Sequence, residues 1–309
     1  MSTLFNRSYK LTIDDIEIEG GGVGIARYGL DVRFKVETSV KKDPNKAEID
    51  VYNLNPTHRS ELMKQSGSQV SKSKRKPVLT QLEAGYGTDR GIIFRGEIRN
   101  LVVKRDGGDF TLNLTGTDSG HSFNVARISK CYAPGTLVYT VAQDAANALG
   151  VGTGNLSSFS SLSIPNYGTT YSEGYAVNDS AEAVLSRILH AAGLTWSVQK
   201  GVLQIKRRNQ PVDDQVYHLS PDSGLIGTPV PEIDATVLPT TSGAPKSPIA
   251  AKKTGLIQVK TLLIHQLYPG AKIELDSESF KGGYQITQVI YTGESAGNDW
   301  YCDLLVRPY

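Results

Sequence analysis

The chain's 309 residues are enough for two or three domains that each bury a core of their own. With 33 basic and 31 acidic side chains the formal charge is +2, which excludes a polyanion binder acting through bulk charge, and no run approaches the roughly eighteen apolar residues of a membrane span. Cys131 and Cys302 are too few for a structural zinc site, and Met1–Lys10 lacks the apolar centre of a secretory leader, so assembly in a cytoplasm is expected.

From Leu11 to about Thr117 short runs alternate apolar and polar residues: Val32–Val36, Glu48–Tyr52 and Leu79–Ala84. This is the pattern of half-buried antiparallel strands. One helix interrupts them, because Asn55 is a capping residue and Pro56 suits the first helical position of a run reaching Lys64. Residues 1–125 are therefore read as a β-domain, with Gly20–Gly24 as a flexible connection that lacks the lysine and hydroxyl of a phosphate loop.

The texture changes over residues 126–210. Leu137, Val141, Ala145, Ala148 and Leu149 share one helical face that ends at Gly150. After a Ser/Gly/Thr-rich loop, Asn178-Asp179-Ser180 caps a second helix carrying Val184, Leu185, Ile188 and Leu189 inward, stopping at Gly193. A hairpin then folds Leu194–Val198 onto Val202–Lys206 through Gln199-Lys200-Gly201. This segment reads as a small inserted α+β domain, residues 211–254 as a turn-rich connection with an exposed loop, and residues 255–309 as a second β-domain.

The two β-domains repeat one pattern. Ile98, Leu101, Val103 and Asp109-Phe110 match Ile286, Val289, Tyr291 and Asp299-Trp300, with a turn two residues longer in the second copy. Each copy breaks its alternation at one place. Ile98 and Leu101 are three apart, as are Ile286 and Val289, so each strand needs a bulge near Arg99 or Thr287 to hold its apolar set on one face. Shared alternation, fault and turn point to two related units in a mainly β chain.

No candidate chemistry stands out. The histidines at 58, 121, 190, 218 and 265 have no metal-ligand spacing, and no cofactor site is read. His58, an aspartate and Ser119 follow the chain order of a serine protease, but Thr117-Asp118-Ser119-Gly120 lacks the flanking glycines and a closing turn is preferred. Asp14-Asp15 and Asp213-Asp214 point to opposite sides of an extended chain instead of converging across a cleft. Cys302, alternating with Trp300 and Leu304, reads as a packed thiol. The one dense basic run, Lys72, Lys74, Arg75 and Lys76, reads first as a solvated loop and second as a contact for nucleic acid or an acidic partner, without the aromatics that stack bases.

Several phrases together resemble a known family. Val51-Tyr52-Asn53-Leu54 before a helix, Leu82–Gly87, Ile93–Ile98, Gly224–Gly227, Leu262-Leu263, Leu267–Gly270, Gly283–Ile286 and Gly293-Glu294-Ser295 leading to Asn298–Tyr301 are similar to baseplate hub proteins of contractile-tailed phages. The segment from Ile233 to Lys253 is longer than the family leads one to expect. The resemblance implies two tube-like antiparallel β-barrel domains per chain and a homotrimer forming a six-unit ring. It implies partners in the tail tube, the spike and other baseplate proteins, DNA only as cargo through a channel, no membrane insertion, and a place in the virion. On this reading the chain is no enzyme, Phe110 and Trp300 are matched barrel anchors, Gly96 and Gly283 flank the bulged strands, and Pro269-Gly270 is a turn. The alternatives are a tail-associated hydrolase and a receptor- or glycan-binding tail protein.

Overall fold

A computed structural model describes residues 6–22, 26–41, 43–66, 78–118, 125–207, 210–212, 215–233 and 253–308. The first part holds β1 (Arg7–Ile13), β2 (Ile16–Gly21), β3 (Val32–Ser39), β4 (Lys46–Tyr52), α1 (Pro56–Ser66), β5 (Val78–Tyr86), β6 (Asp89–Asp106) and β7 (Asp109–Thr117). The middle holds β8 (Arg127–Tyr132), β9 (Thr136–Leu137), α2 (Val138–Ala148), β10 (Thr170–Tyr171), β11 (Tyr175–Ser180), α3 (Ala181–Ala191), β12 (Leu194–Gln199) and β13 (Val202–Arg207). The last part holds β14 (Val216–Leu219), β15 (Leu225–Ile233), β16 (Lys253–Leu262), β17 (Lys272–Asp276), β18 (Lys281–Glu294) and β19 (Trp300–Pro308).

The protein is mainly β and is organised around one large, almost wholly antiparallel sheet. Its strands run in the order β15-β16-β19-β18-β3-β4-β7-β6-β5-β1-β2, with β17 pairing the first part of β18 and β14 lying parallel to β17. Alternation decides the faces: in β3, Val32, Phe34, Val36 and Thr38 are buried and the intervening residues are not. One apolar cluster runs from Tyr9 and Leu11 through Ile49, Leu101 and Leu114 to Ile286, Leu304 and Val306. The first and last parts of the chain therefore share a core as well as a sheet.

The middle segment has its own core, in which α2 and α3 bury Val141, Ala145, Val184, Leu185, Ile188 and Leu189 against Trp196 and Ile205 of the β12–β13 hairpin. Local chemistry sets its boundaries. The Ser180 hydroxyl accepts from the Ala183 amide at 3.2 Å to cap α3, and the hairpin turns at Lys200 and Gly201, both at positive φ. In α1, the Asn55 side chain accepts from the Thr57 amide at 2.9 Å, which is the cap the sequence supplies.

Within residues 211–254, which the sequence reads as a turn-rich connection while leaving open which β-domain residues 207–232 belong to, β14 pairs β17 and β15 pairs β16, so both strands join the second β-unit. Pro229 and Pro231 fit in β15 because, among the described residues, it is the outermost strand of the sheet, where a missing amide leaves no ladder bond unmade. In the first repeat β6 continues to Asp106, and only Gly107 and Gly108 separate it from β7.

A shared core predicts shared unfolding. Ile49→Ala in β4 and Leu304→Ala in β19 each remove a buried side chain and should each cost about 2–5 kcal/mol. Calorimetry should show both variants lowering the same transition. Separate transitions for the two variants would show that the β-units unfold independently.

Candidate assembly interface

The residues that unite the two β-units come from β3 and β18, which are remote in sequence. Their antiparallel ladder pairs Thr38 with Val289, Val36 with Tyr291, Phe34 with Gly293 and Arg33 with Glu294. Beyond the ladder, the Ser295 amide donates to the Val32 carbonyl at 2.9 Å and the Val32 amide donates to the Ser295 hydroxyl at 2.8 Å. On the exposed face Arg33 Nε lies 2.5 Å from Glu294 Oε1.

Aromatic packing closes the same seam. The Phe34 ring meets the Trp300 ring edge-on, with centroids 5.4 Å apart and planes at 71°. It can do so because residue 293 is glycine: a Cβ there would stand 2.2 Å from the Phe34 ring. The Trp300 indole N–H donates to the Gly85 carbonyl of β5 at 3.2 Å, so the residue beginning β19 is tied to the first unit from two sides. Arg7 of β1 lies 5.7 Å over the same ring and donates to the carbonyls of Gly297 at 2.6 Å and Asn298 at 2.8 Å.

The repeat holds in register as well as in sequence. In the β6–β7 hairpin Ile98 pairs with Gly116, Leu101 with Leu114, Val103 with Leu112 and Arg105 with Phe110. In the β18–β19 hairpin Ile286 pairs with Val306, Val289 with Leu304, Tyr291 with Cys302 and Gly293 with Trp300. Both ladders slip by one residue, at Arg99 and at Thr287, as the three-residue spacing of the apolar positions requires. Ile98, Leu101, Ile286 and Val289 are all buried.

Phe110 and Trp300 thus occupy matching positions in different surroundings. Trp300 is buried, whereas Phe110 is half-exposed with Arg59 at 3.9 Å and Arg105 at 5.3 Å from its ring centroid. The difference lies in the neighbour. Trp300 has β3 and Phe34 beside it across the seam, while among the described residues no strand pairs the corresponding part of the β6 edge, from Asn100 to Asp106.

The remaining sequence candidates fall in several places. Gly96 sits where β6 passes the end of β7, and a Cβ there would lie 2.2 Å from the Thr117 carbonyl oxygen. Gly283 pairs with Glu274 in the β17–β18 ladder. Pro269 and Gly270 lie in a turn: Gly270, at φ +100°, donates to the Ile286 carbonyl at 2.8 Å and accepts from the Val212 amide at 3.0 Å. Burial pushes the Cys302 thiol up to about 12, in keeping with a packed side chain. Lys72, Lys74, Arg75, Lys76, His121 and Ser119 lie outside the described residues. His58 is exposed on α1, and the Asp118 carboxylate accepts from the Asn45 amide at 3.0 Å and side chain at 2.6 Å. Among the described residues no three or more His, Cys, Asp or Glu side chains gather as a metal set.

The contacts that hold the inserted unit leave no local signal in the sequence. The Asn45 side chain also donates to the Val198 carbonyl at 2.8 Å, and the Gln199 amide donates to the Ser39 carbonyl at 2.7 Å. On the other flank Gln285, fully buried, donates to the Gln210 carbonyl at 2.7 Å. Nearby, Lys206 is buried and its amine has no hydrogen-bond partner among the described residues. Burial, helped by the charge of Arg307, pulls its pKa down to about 8.

Comparison with known proteins agrees with this architecture. The sequence profile of the family described as baseplate hub gp41 matches residues 14–236. No match was found among curated protein sequences. The fold is similar to the 43 kDa tail protein of prophage MuSo2 from Shewanella oneidensis, at TM-score 0.59 and 11% identity over 98% of both chains. It is similar to a tail protein from Neisseria meningitidis MC58, at TM-score 0.57 and 9% identity over 98% of this chain and 96% of that one. It also resembles an Escherichia coli component of the type VI secretion system, at TM-score 0.54 and 10% identity over 97% of this chain and 77% of that one. That component is described as structurally similar to the T4 phage tail proteins gp27 and gp5. At such identities these structures speak to the fold alone.

The seam and its surroundings can be tested by substitution. Trp300→Ala should cost about 3–5 kcal/mol in urea unfolding, and Gly293→Ala about 1–3 kcal/mol by pressing a Cβ into the Phe34 ring. Adding Phe34→Ala should relieve most of the Gly293→Ala penalty, whereas additive losses would show that the two positions do not touch. Lys206 is charged in the unfolded chain up to its ordinary 10.5, so its destabilising effect is full below about pH 8 and fades as pH rises from 8 to 10.5. Lys206→Met should therefore be more stable than the parent at pH 7, with the advantage shrinking over that window. A constant advantage across the window would contradict the burial of a charged amine.

Proposed function

The chain belongs to the baseplate hub gp41 family, and from that premise we propose that it is the structural hub of a phage tail baseplate, working as a homotrimer whose six β-units form a pseudo-sixfold ring. The observation that carries this reading is the repeat in register. One chain holds two hairpins with the same pairings and the same bulge, in sub-sheets ordered β3-β4-β7-β6-β5 and β15-β16-β19-β18-β17. Three such chains offer six similar surfaces to a sixfold tail tube while remaining threefold for a trimeric spike. A closed ring of this kind uses heterologous contacts, one face of each subunit against a different face of the next.

The proposed role is architectural, with the tail tube, the spike and other baseplate proteins as partners and DNA only as cargo through the central channel. The protein would be assembled in the host cytoplasm and retained in the virion.

Light scattering and negative-stain imaging of the purified protein test the reading. Three chain masses and a ring with six lobes are expected. A protein that stays monomeric at high concentration, alone and with tail tube protein added, would overturn it.

A further inference from the structure

The inserted unit does not close flush against the first β-unit. Between them lies a cavity of about 480 Å³, walled on one side by β5, β6 and the turn after β1, and on the other by residues 150–152 and the tip of the β12–β13 hairpin. The second wall is tied together locally. The Gly152 amide donates to the Gly201 carbonyl at 3.0 Å, and the Leu203 amide donates to the Gly152 carbonyl at 2.7 Å.

Three polar side chains on these walls have nothing to bond. Thr80 is 2% exposed and its hydroxyl has no hydrogen-bond partner among the described residues, because its neighbour across the β5–β6 ladder is Gly96, which offers no side chain. Lys200 stands at the hairpin tip at φ +55°, a conformation that favours glycine, and no hydrogen bond or ion pair engages its amine among the described residues. Burial pulls its pKa down to about 8, with no carboxylate to offset the lost water. The Arg95 guanidinium on β6 is likewise unengaged among the described residues.

The carboxylates of the cavity, by contrast, are committed. Asp14 accepts from the Leu79 amide at 2.9 Å, the Asp118 oxygens accept from the Asn45 amide at 3.0 Å and side chain at 2.6 Å, and Glu97 has a partner of its own. What stays on offer is one hydroxyl and two cationic donors, the chemistry that holds an oxyanion. The space exceeds what a bare inorganic ion fills, and Leu79, Val151 and Val202 give it an apolar margin.

We propose that this cavity binds a small organic anion, a carboxylate or a phosphate ester, whose charged head meets Lys200 and Thr80 and whose carbon frame lies against Leu79, Val151 and Val202. Such a ligand touches both units at once, Thr80 and Arg95 from the β-unit and Lys200 from the inserted unit. It fastens a joint that the Asn45 and Gln199 side chains otherwise hold. The inference is independent of the hub reading, since every residue it uses belongs to one chain.

Calorimetric titration of the whole chain with succinate and with glycerol 3-phosphate, at neutral pH and constant ionic strength, tests the site. Lys281→Met serves as the control, because Lys281 is an exposed lysine outside the cavity, 2.9 Å from Asp276. Saturable binding of at least one compound is expected, and the one that binds identifies the head group. Lys200→Met and Thr80→Val should each weaken that binding about 10-fold, while Lys281→Met leaves it unchanged. Hydrogen exchange should slow together at residues 78–81 and 199–202 when the ligand is present. Thr80→Val removes a hydroxyl that makes no bond, so this variant should keep the parent's unfolding midpoint. Binding retained in both cavity variants puts the anion elsewhere and overturns the site. No saturable binding of either compound also overturns it, leaving a cavity that holds solvent only, and neither result touches the test of the trimer.

Discussion

The pairing of β3 with β18 is the constraint on which the rest of the structure depends. Without it the chain would be two small sheets separated by an inserted α+β unit, each with an exposed edge and half a core. With it, buried residues from Tyr9 to Val306 form one cluster. The seam is made specific by shape. Only glycine at position 293 lets the Phe34 ring lie against Trp300, and only that placement brings the indole N–H to Gly85. A one-residue slip would turn every side chain of β3 to the wrong face, so the apolar contacts fix the register as firmly as the backbone bonds do.

The same seam gives the repeat its functional meaning. Two similar hairpins in one chain could be an accident of ancestry with no bearing on assembly. Two similar hairpins joined through a defined edge hold two equivalent surfaces in one fixed relation, which is what the proposed ring requires. The inserted unit is held by side-chain amides, Asn45 and Gln199 on one flank and Gln285 on the other, so it is oriented by the β-units instead of merging with their core.

Much of this was legible in the sequence, and what was not has physical causes. The spacing of Ile98 and Leu101, and of Ile286 and Val289, located both bulges because a strand's two-residue period leaves no other way to keep those side chains on one face. Helix caps at Asn55 and Ser180 are local chemistry and were readable as such. The different burial of Phe110 and Trp300 is not legible, because the same position in a repeat packs differently where, among the described residues, a neighbouring strand is present at one copy and absent at the other. The place of β15 is not legible either, because its prolines read as loop unless the strand is known to lie at an edge. The seam itself leaves no local trace: Val36 and Tyr291 meet across most of the chain, and nothing in either segment names the other.

Hydrogen exchange of the seam amides tests the central claim, that the two β-units are one cooperative body. If the seam is what unites them, the amides of Val36 and Tyr291 should open only with the whole molecule, at the free energy of global unfolding measured by denaturant. Rapid exchange at both amides, while Leu101, Leu114, Val289 and Leu304 stay protected, would mean that the hairpins stand independently and the seam does not hold them together.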